Sequence, residues 1–143
     1  MRLGLCCINN KLRDKHIFTS RTTRLGTVLK KNKECKNGGI KYLQELFSKN
    51  LDDLLIMLAW NEKNGIKVFR MSSEMAPHIA NQALLKPKYR KKYNKLVYSI
   101  KPFAAKLKLV GDFAKKYGHR LTFHPGQYVV LGSPSKQIVA NSI

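Results

Sequence analysis

Leu43, Leu46, Phe47, Leu51, Leu54, Leu55 and Leu58 recur at three- and four-residue steps, which lays one apolar stripe along a helix. Asn64-Gly65 follows, the pair expected where a helix stops in a left-handed turn. Ile66-Lys67-Val68-Phe69-Arg70-Met71 comes next, and its β-branched and aromatic residues between turn residues predict a strand. A helix with one apolar face must bury it, and a strand just beyond its end supplies a sheet to bury it on.

The same alternation extends in both directions. Arg2-Leu3-Gly4-Leu5-Cys6 reads as a short opening strand. Residues 9 to 39 are polar and basic and read as a long loop, punctuated by Asn37-Gly38-Gly39. Residues 72 to 102 form a second long connection. Pro102 then suits the first turn of a helix whose apolar face is Ala104, Leu107, Val110, Ala114 and Tyr117, ended by Gly118. Arg120-Leu121-Thr122-Phe123-His124 is a third strand, and Ser133-Pro134 opens a further helix of two turns. Strands alternating with helices imply α/β structure with a parallel sheet and right-handed crossovers. Three strands in 143 residues fall short of the roughly 250 residues of a (β/α)8 barrel. The expectation is a partial TIM barrel of about three βα units, with residues 1–143 the N-terminal, incomplete portion of a larger domain.

Charge narrows the partner. Lys and Arg number 28 against 8 Asp and Glu, a formal charge of +20, which argues for an anionic partner, nucleic acid first and an anionic membrane surface second. Between Met75 and Gly111 there is no acid, while Lys86, Lys88, Arg90, Lys91, Lys92, Lys95, Lys101, Lys106 and Lys108 supply nine positive charges with Tyr89, Tyr93 and Tyr98 among them. Basic residues interleaved with aromatics suit a phosphate backbone with exposed bases; a Lys-rich surface with tyrosines packed on a helix is the plainer alternative. The three cysteines, Cys6, Cys7 and Cys35, form no CxxC pair, which excludes a zinc ribbon and points to reduced thiols inside a cell. Neighbours on a strand face opposite ways, so Cys6 and Cys7 are not expected to bond one another. The longest apolar run, Leu54 to Trp60, is far below the ~20 residues of a membrane span, so a soluble, intracellular chain with no membrane partner is expected.

In parallel α/β folds, functional groups gather where strands end. That rule selects Cys6, Cys7, Asn9 and Asn10 after the first strand, Arg70, Ser72, Ser73, Glu74 and His78 after the second, and His124, Gln127 and Tyr128 after the third. His124 is either a neutral-imidazole metal ligand or general base, or a strand cap bonded to a loop carbonyl. Glu74 is either a supporting metal ligand or a solvated carboxylate. His119 precedes its strand and is expected at the surface, on the far side from the strand ends. No residue is singled out with certainty as catalytic.

Arg2-Leu3-Gly4 with Cys7-Ile8-Asn9, Thr23-Arg24-Leu25, Asn50-Leu51-Asp52-Asp53-Leu54, Trp60 to Ile66, Phe69 to Ser73 and Leu121 to Tyr128 resemble, in order, the N-terminal signatures of UV-damage endonucleases. The resemblance implies a TIM-barrel DNA repair nuclease that nicks double-stranded DNA on the 5′ side of UV lesions by metal-dependent phosphodiester hydrolysis, with a divalent cluster, typically manganese. It implies that His124 is a metal ligand, that Gln127 and Tyr128 probe the duplex where damaged bases turn out, and that Asn9 lines the site. Arg70, Lys91 and Lys92 are the candidate phosphate contacts. Family members carry a second His in a Pro-x-x-x-His segment; here Pro77 leads to Asn81 at that place, with His78 three residues earlier. The family's other ligands lie in later strands, which this sequence does not contain, so the chain alone is expected to be inactive or nearly so. Two other readings are a non-catalytic basic DNA-binding remnant and one half of a split nuclease completed by a second polypeptide.

Overall fold

The computed structural model describes residues 2–79, 98–126 and 129–142. Strand β1 (Leu3–Cys6) leads to a one-turn helix α1 (Asn10–Arg13) and to α2 (Leu25–Glu34). The long helix α3 (Gly38–Lys63) precedes β2 (Ile66–Ser72), which runs into a 3-10 turn, Ser73–Met75. A second 3-10 turn, Lys101–Phe103, feeds α4 (Ala104–Tyr117), then β3 (Arg120–His124) and α5 (Lys136–Ser142). The strands form one parallel sheet in the order β1-β2-β3. The expected α/β class with three parallel strands is what the chain adopts.

Helix α3 carries the core. Leu43, Phe47, Leu51, Leu54, Met57 and Leu58 are buried along it, against Phe69 and Met71 of β2 and Val110 of α4. Each such side chain contributes roughly 1.5–3 kcal/mol through its removal from water. The helix ends at Asn64, and Gly65 takes φ +71°, a conformation costly for residues with a Cβ. Gly118 ends α4 in the same way at φ +66°. On α4, Val110 and Ala114 are buried and Leu107 partly so, but Ala104 and Tyr117 are exposed. Phe113 takes the inward place instead, stacked against Tyr117 with ring centroids 4.6 Å apart.

The stretch from 9 to 39 is not one long loop. Asn9 caps α1 by accepting from the Leu12 amide. Helix α2 is Lys-rich, but Val28 is fully buried and Leu25 and Leu29 pack beside it on the core. Gly38 and Gly39 open α3 rather than marking a turn. A Cβ on Gly39 would sit on the Val28 carbonyl oxygen, so the glycine is what lets α3 touch α2. No helix among the described residues is long and apolar enough to cross a membrane.

Candidate functional site

Strand alternation sorts the sheet into two faces. Phe69 and Met71 of β2, with Leu5 and Leu121 beside them, turn toward the helices and join the core. The other set runs across the sheet in register: Gly4 beside Val68, Cys6 beside Arg70, Arg70 beside Thr122, and Ser72 beside His124. Arg70 and Cys6 are exposed on this face, and Ser72 and His124 are half-buried at its end. The topology thus aligns the ends of all three strands and places Arg70 and His124 on the face away from the helices.

His124 is the last residue of β3, and its Nδ1 lies 2.7 Å from the Pro125 carbonyl oxygen. A carbonyl only accepts, so Nδ1 carries the proton, and Nε2 is the nitrogen left with a lone pair to meet a ligand or a proton. Such a second contact is how proteins orient an imidazole for coordination. The loop after β3 lies close to the one after β2: a Cβ on Gly126 would come within 3.8 Å of Ser73 Oγ.

Glu74 is exposed in the 3-10 turn after β2, where its amide donates to Ser72 Oγ. His78 sits at φ +58°, and its Nε2 donates to the Thr23 carbonyl at 2.8 Å, tying the second strand-end loop to the stretch before α2. Asn9 is 5% exposed; its Oδ1 is used as the helix cap, while Nδ2 is buried without a partner. Asn81, Lys91, Lys92, Gln127 and Tyr128 lie outside the described residues.

Among the described residues no three His, Cys, Asp or Glu side chains come together as a metal-binding group. His124 fits the role of one ligand, but the described residues do not supply the set that a divalent cluster needs. The basic run is also partly neutralised from elsewhere: Lys106 pairs with Asp52 at 2.5 Å and bonds Ser48, and Lys108 pairs with Asp112 at 2.6 Å.

A network built on the Asn50-to-Leu54 stretch holds this rim. Asn50, fully buried on α3, accepts from the Arg21 amide at 3.0 Å and donates to the carbonyls of Arg21 and Met75 at 2.9 Å each. Asp53, one turn on, pairs with the Arg21 guanidinium at 2.6 Å and accepts from the Phe18 amide. Arg21 also donates to the carbonyls of Phe18 and His16 and covers the Phe18 ring. One helix face therefore fastens both the segment after β1 and the turn after β2. The signal was the Asn50–Asp53 spacing, which puts two polar groups on a helix face otherwise lined with leucines.

One expectation is corrected, and the reason behind another changes. His119 is not a surface residue: its side chain is 0% exposed, with Nε2 2.6 Å from Glu62 Oε2 and the ring edge-on to Phe113. Lys67 closes the cluster through Glu62 and the Tyr117 carbonyl. Glu62 is held below its ordinary value by the hydrogen bonds from Lys67 and then His119. Cys6 and Cys7 are free thiols, as expected, but not because they diverge: Cys7 leaves strand geometry at φ +56° and the two sulfurs come within 3.7 Å.

Residues 1–143 match the sequence profile of the family described as UV-endonuclease UvdE. The chain is 39% identical over 142 residues to a protein of Acanthamoeba polyphaga mimivirus, covering 99% of this chain and 38% of that one. It is 37% identical over 166 residues to the UV-damage endonuclease of Neurospora crassa, covering 99% of this chain and 24% of that one. The crystal structure of SacUVDE superposes with a TM-score of 0.72 at 29% identity, over 99% of this chain and 41% of that chain. The three parallel strands thus correspond to part of that barrel, and the chain spans about a quarter to two-fifths of the length of these proteins.

Proposed function

Because the chain belongs to the UV-endonuclease UvdE family, we propose that it forms the first three βα units of a barrel that nicks double-stranded DNA 5′ to UV photoproducts. The observation that carries the reading is the 2.7 Å contact of His124 Nδ1 with the Pro125 carbonyl oxygen, which leaves Nε2 available at the end of β3. In this reading His124 is one ligand of a divalent metal, manganese by family resemblance. A bound metal would polarise the scissile phosphate and lower the pKa of a water. Glu74, His78 and Asn81 are the nearest candidates in sequence to support it, and the remaining ligands belong to the length of the relatives that this chain does not span.

The work left to this chain is recognition. Arg70 on the open face, with Lys91 and Lys92, would meet phosphates, displacing counterions and making binding fall steeply with salt. Gln127 and Tyr128 follow the His124 turn by three and four residues; a planar ring and an amide would fill the space left when damaged bases leave the stack. Asn9, with Nδ2 buried and unpartnered, would line the site from the first strand. A lesion that already weakens stacking lowers the cost of opening the duplex, so damage is found without reading sequence.

A second reading, binding without cleavage, is favoured by the lack of a three-ligand group among the described residues. UV-irradiated supercoiled plasmid separates the two. With manganese, the chain alone is expected to bind the plasmid and leave it intact. Nicking is expected when a second polypeptide, covering the remaining length of the curated relatives, is added. Robust nicking by the chain alone would overturn the incomplete-site account, and nicking that never appears with the second polypeptide would favour binding without cleavage.

A further inference from the structure

At the end of β1 the backbone does something unusual for two adjacent non-glycine residues. Cys6 keeps its place in the sheet beside Arg70, and Cys7 turns to φ +56°, with its amide donating to the Arg70 carbonyl at 2.7 Å. The Ile8 amide then closes back on the Cys6 carbonyl at 2.6 Å. A left-handed conformation at a side chain with a Cβ costs of order 1 kcal/mol and persists only where neighbours fix it. Here it brings the two thiol sulfurs to 3.7 Å. Both cysteines are free, Cys6 is exposed and Cys7 is half-buried.

Two thiolates bound at about 2.3 Å to one tetrahedral ion lie about 3.8 Å apart. The sulfurs of Cys6 and Cys7 stand at nearly that separation before any ligand arrives. We propose that Cys6 and Cys7 form a two-thiol chelating site for a soft, thiophilic ligand, of the class of trivalent arsenic, at the strand-end rim beside Arg70. Hard oxygen-preferring cations are excluded by the donors. With no third His, Cys, Asp or Glu completing a group among the described residues, the site suits an ion satisfied by two sulfurs and not a four-ligand structural zinc. The Cys7 thiol is pushed up to about 11, by burial first and then by its contact with Cys6, with the Arg70 charge acting the other way. Its proton therefore leaves when a ligand takes its place, not spontaneously near neutrality.

Phenylarsine oxide reads the site directly. Two arsenic–sulfur bonds form, the arsenic–oxygen bond breaks, and both thiol protons depart with that oxygen as one water, with no change of oxidation state. The reduced wild-type chain and Cys35→Ser are expected to take up one phenylarsenic group by intact mass, to retain it in excess monothiol, and to release it to a small dithiol. Cys6→Ser and Cys7→Ser are each expected to lose it to monothiol at least about 100-fold faster, since one anchor replaces a chelate. Cys6 is exposed, so Cys6→Ser should keep the wild-type circular dichroism and serves as the deciding variant. Uptake should also raise the thermal midpoint of the wild type and leave that of Cys6→Ser in place, because a prearranged pair binds the folded chain better than the unfolded one. Equal retention by Cys6→Ser, or an unmoved wild-type midpoint after uptake, would overturn the proposal.

Discussion

Histidine stands at both ends of β3, and the two rings have opposite surroundings. His119, just before the strand, is sealed between Phe113 and the Glu62–Lys67 pair. His124, at the strand's end, is tied by one nitrogen to its own loop and keeps the other for a partner. The lower end of the sheet is thus closed by a charge cluster, whereas the upper end presents Arg70, Cys6 and His124 on a rim fastened from beneath by Asn50 and Asp53. In barrel folds the lower face commonly serves stability and the upper face chemistry. Each ring bonds through one nitrogen, so the contrast lies in burial: His119 keeps Nδ1 sealed in the interior without a partner, whereas the His124 ring is half-buried at the rim.

The largest expected effect tests the fastening of the rim. Asn50→Ala leaves the Arg21 amide and the carbonyls of Arg21 and Met75 without their buried partner, and should cost roughly 3 kcal/mol in urea unfolding. A loss below about 1 kcal/mol would mean that the rim does not depend on α3.

The lower cluster comes next. His119→Ala should cost about 2 kcal/mol through the lost hydrogen bond and the space left beside Phe113. The cluster also sets an acid limit. The Glu62 carboxyl is lowered in the folded chain from an ordinary value of 4.5, so its stabilisation is complete above that pH and is lost as pH falls through the lower folded value. Glu62→Gln should flatten that part of the stability–pH curve, and an unchanged acid limb would contradict the assignment.

His124→Ala, in contrast, should change stability by less than about 0.5 kcal/mol, the range of surface substitutions. A cost equal to that of His119→Ala would erase the contrast between the two ends. Smallest of all, Lys108→Ala removes an exposed pair one helical turn long, for about 0.3 kcal/mol, as thermal unfolding would show.

The sequence carried the sheet and α3 because their signals are local. The leucine stripe, the Gly65 and Gly118 stops and the third strand each sit in a few consecutive residues. His119 was illegible because its burial is made by Glu62, 57 positions earlier, and a histidine beside a Lys-Lys-Tyr-Gly run looks solvated. Helix α2 is hidden by three lysines and an asparagine around a single buried valine, and Gly38-Gly39 reads as a turn until Val28 is seen against it. The place of His124 at the end of β3, before a Pro-Gly turn, is legible in the sequence. The vicinal thiols are not, since strand alternation predicts divergence and only the φ of Cys7 reverses it.

The central claim is that the rim of this chain engages damaged duplex, and fluorescence anisotropy on matched UV-irradiated and intact duplexes tests it most directly. Wild-type chain should prefer the irradiated duplex by about tenfold, and Gln127→Ala with Tyr128→Ala should abolish the preference while leaving the unfolding midpoint unchanged, in keeping with 1–3 kcal/mol for a stacked base. Equal affinity of the wild-type chain for both duplexes, or a preference that survives the double substitution, would contradict the account.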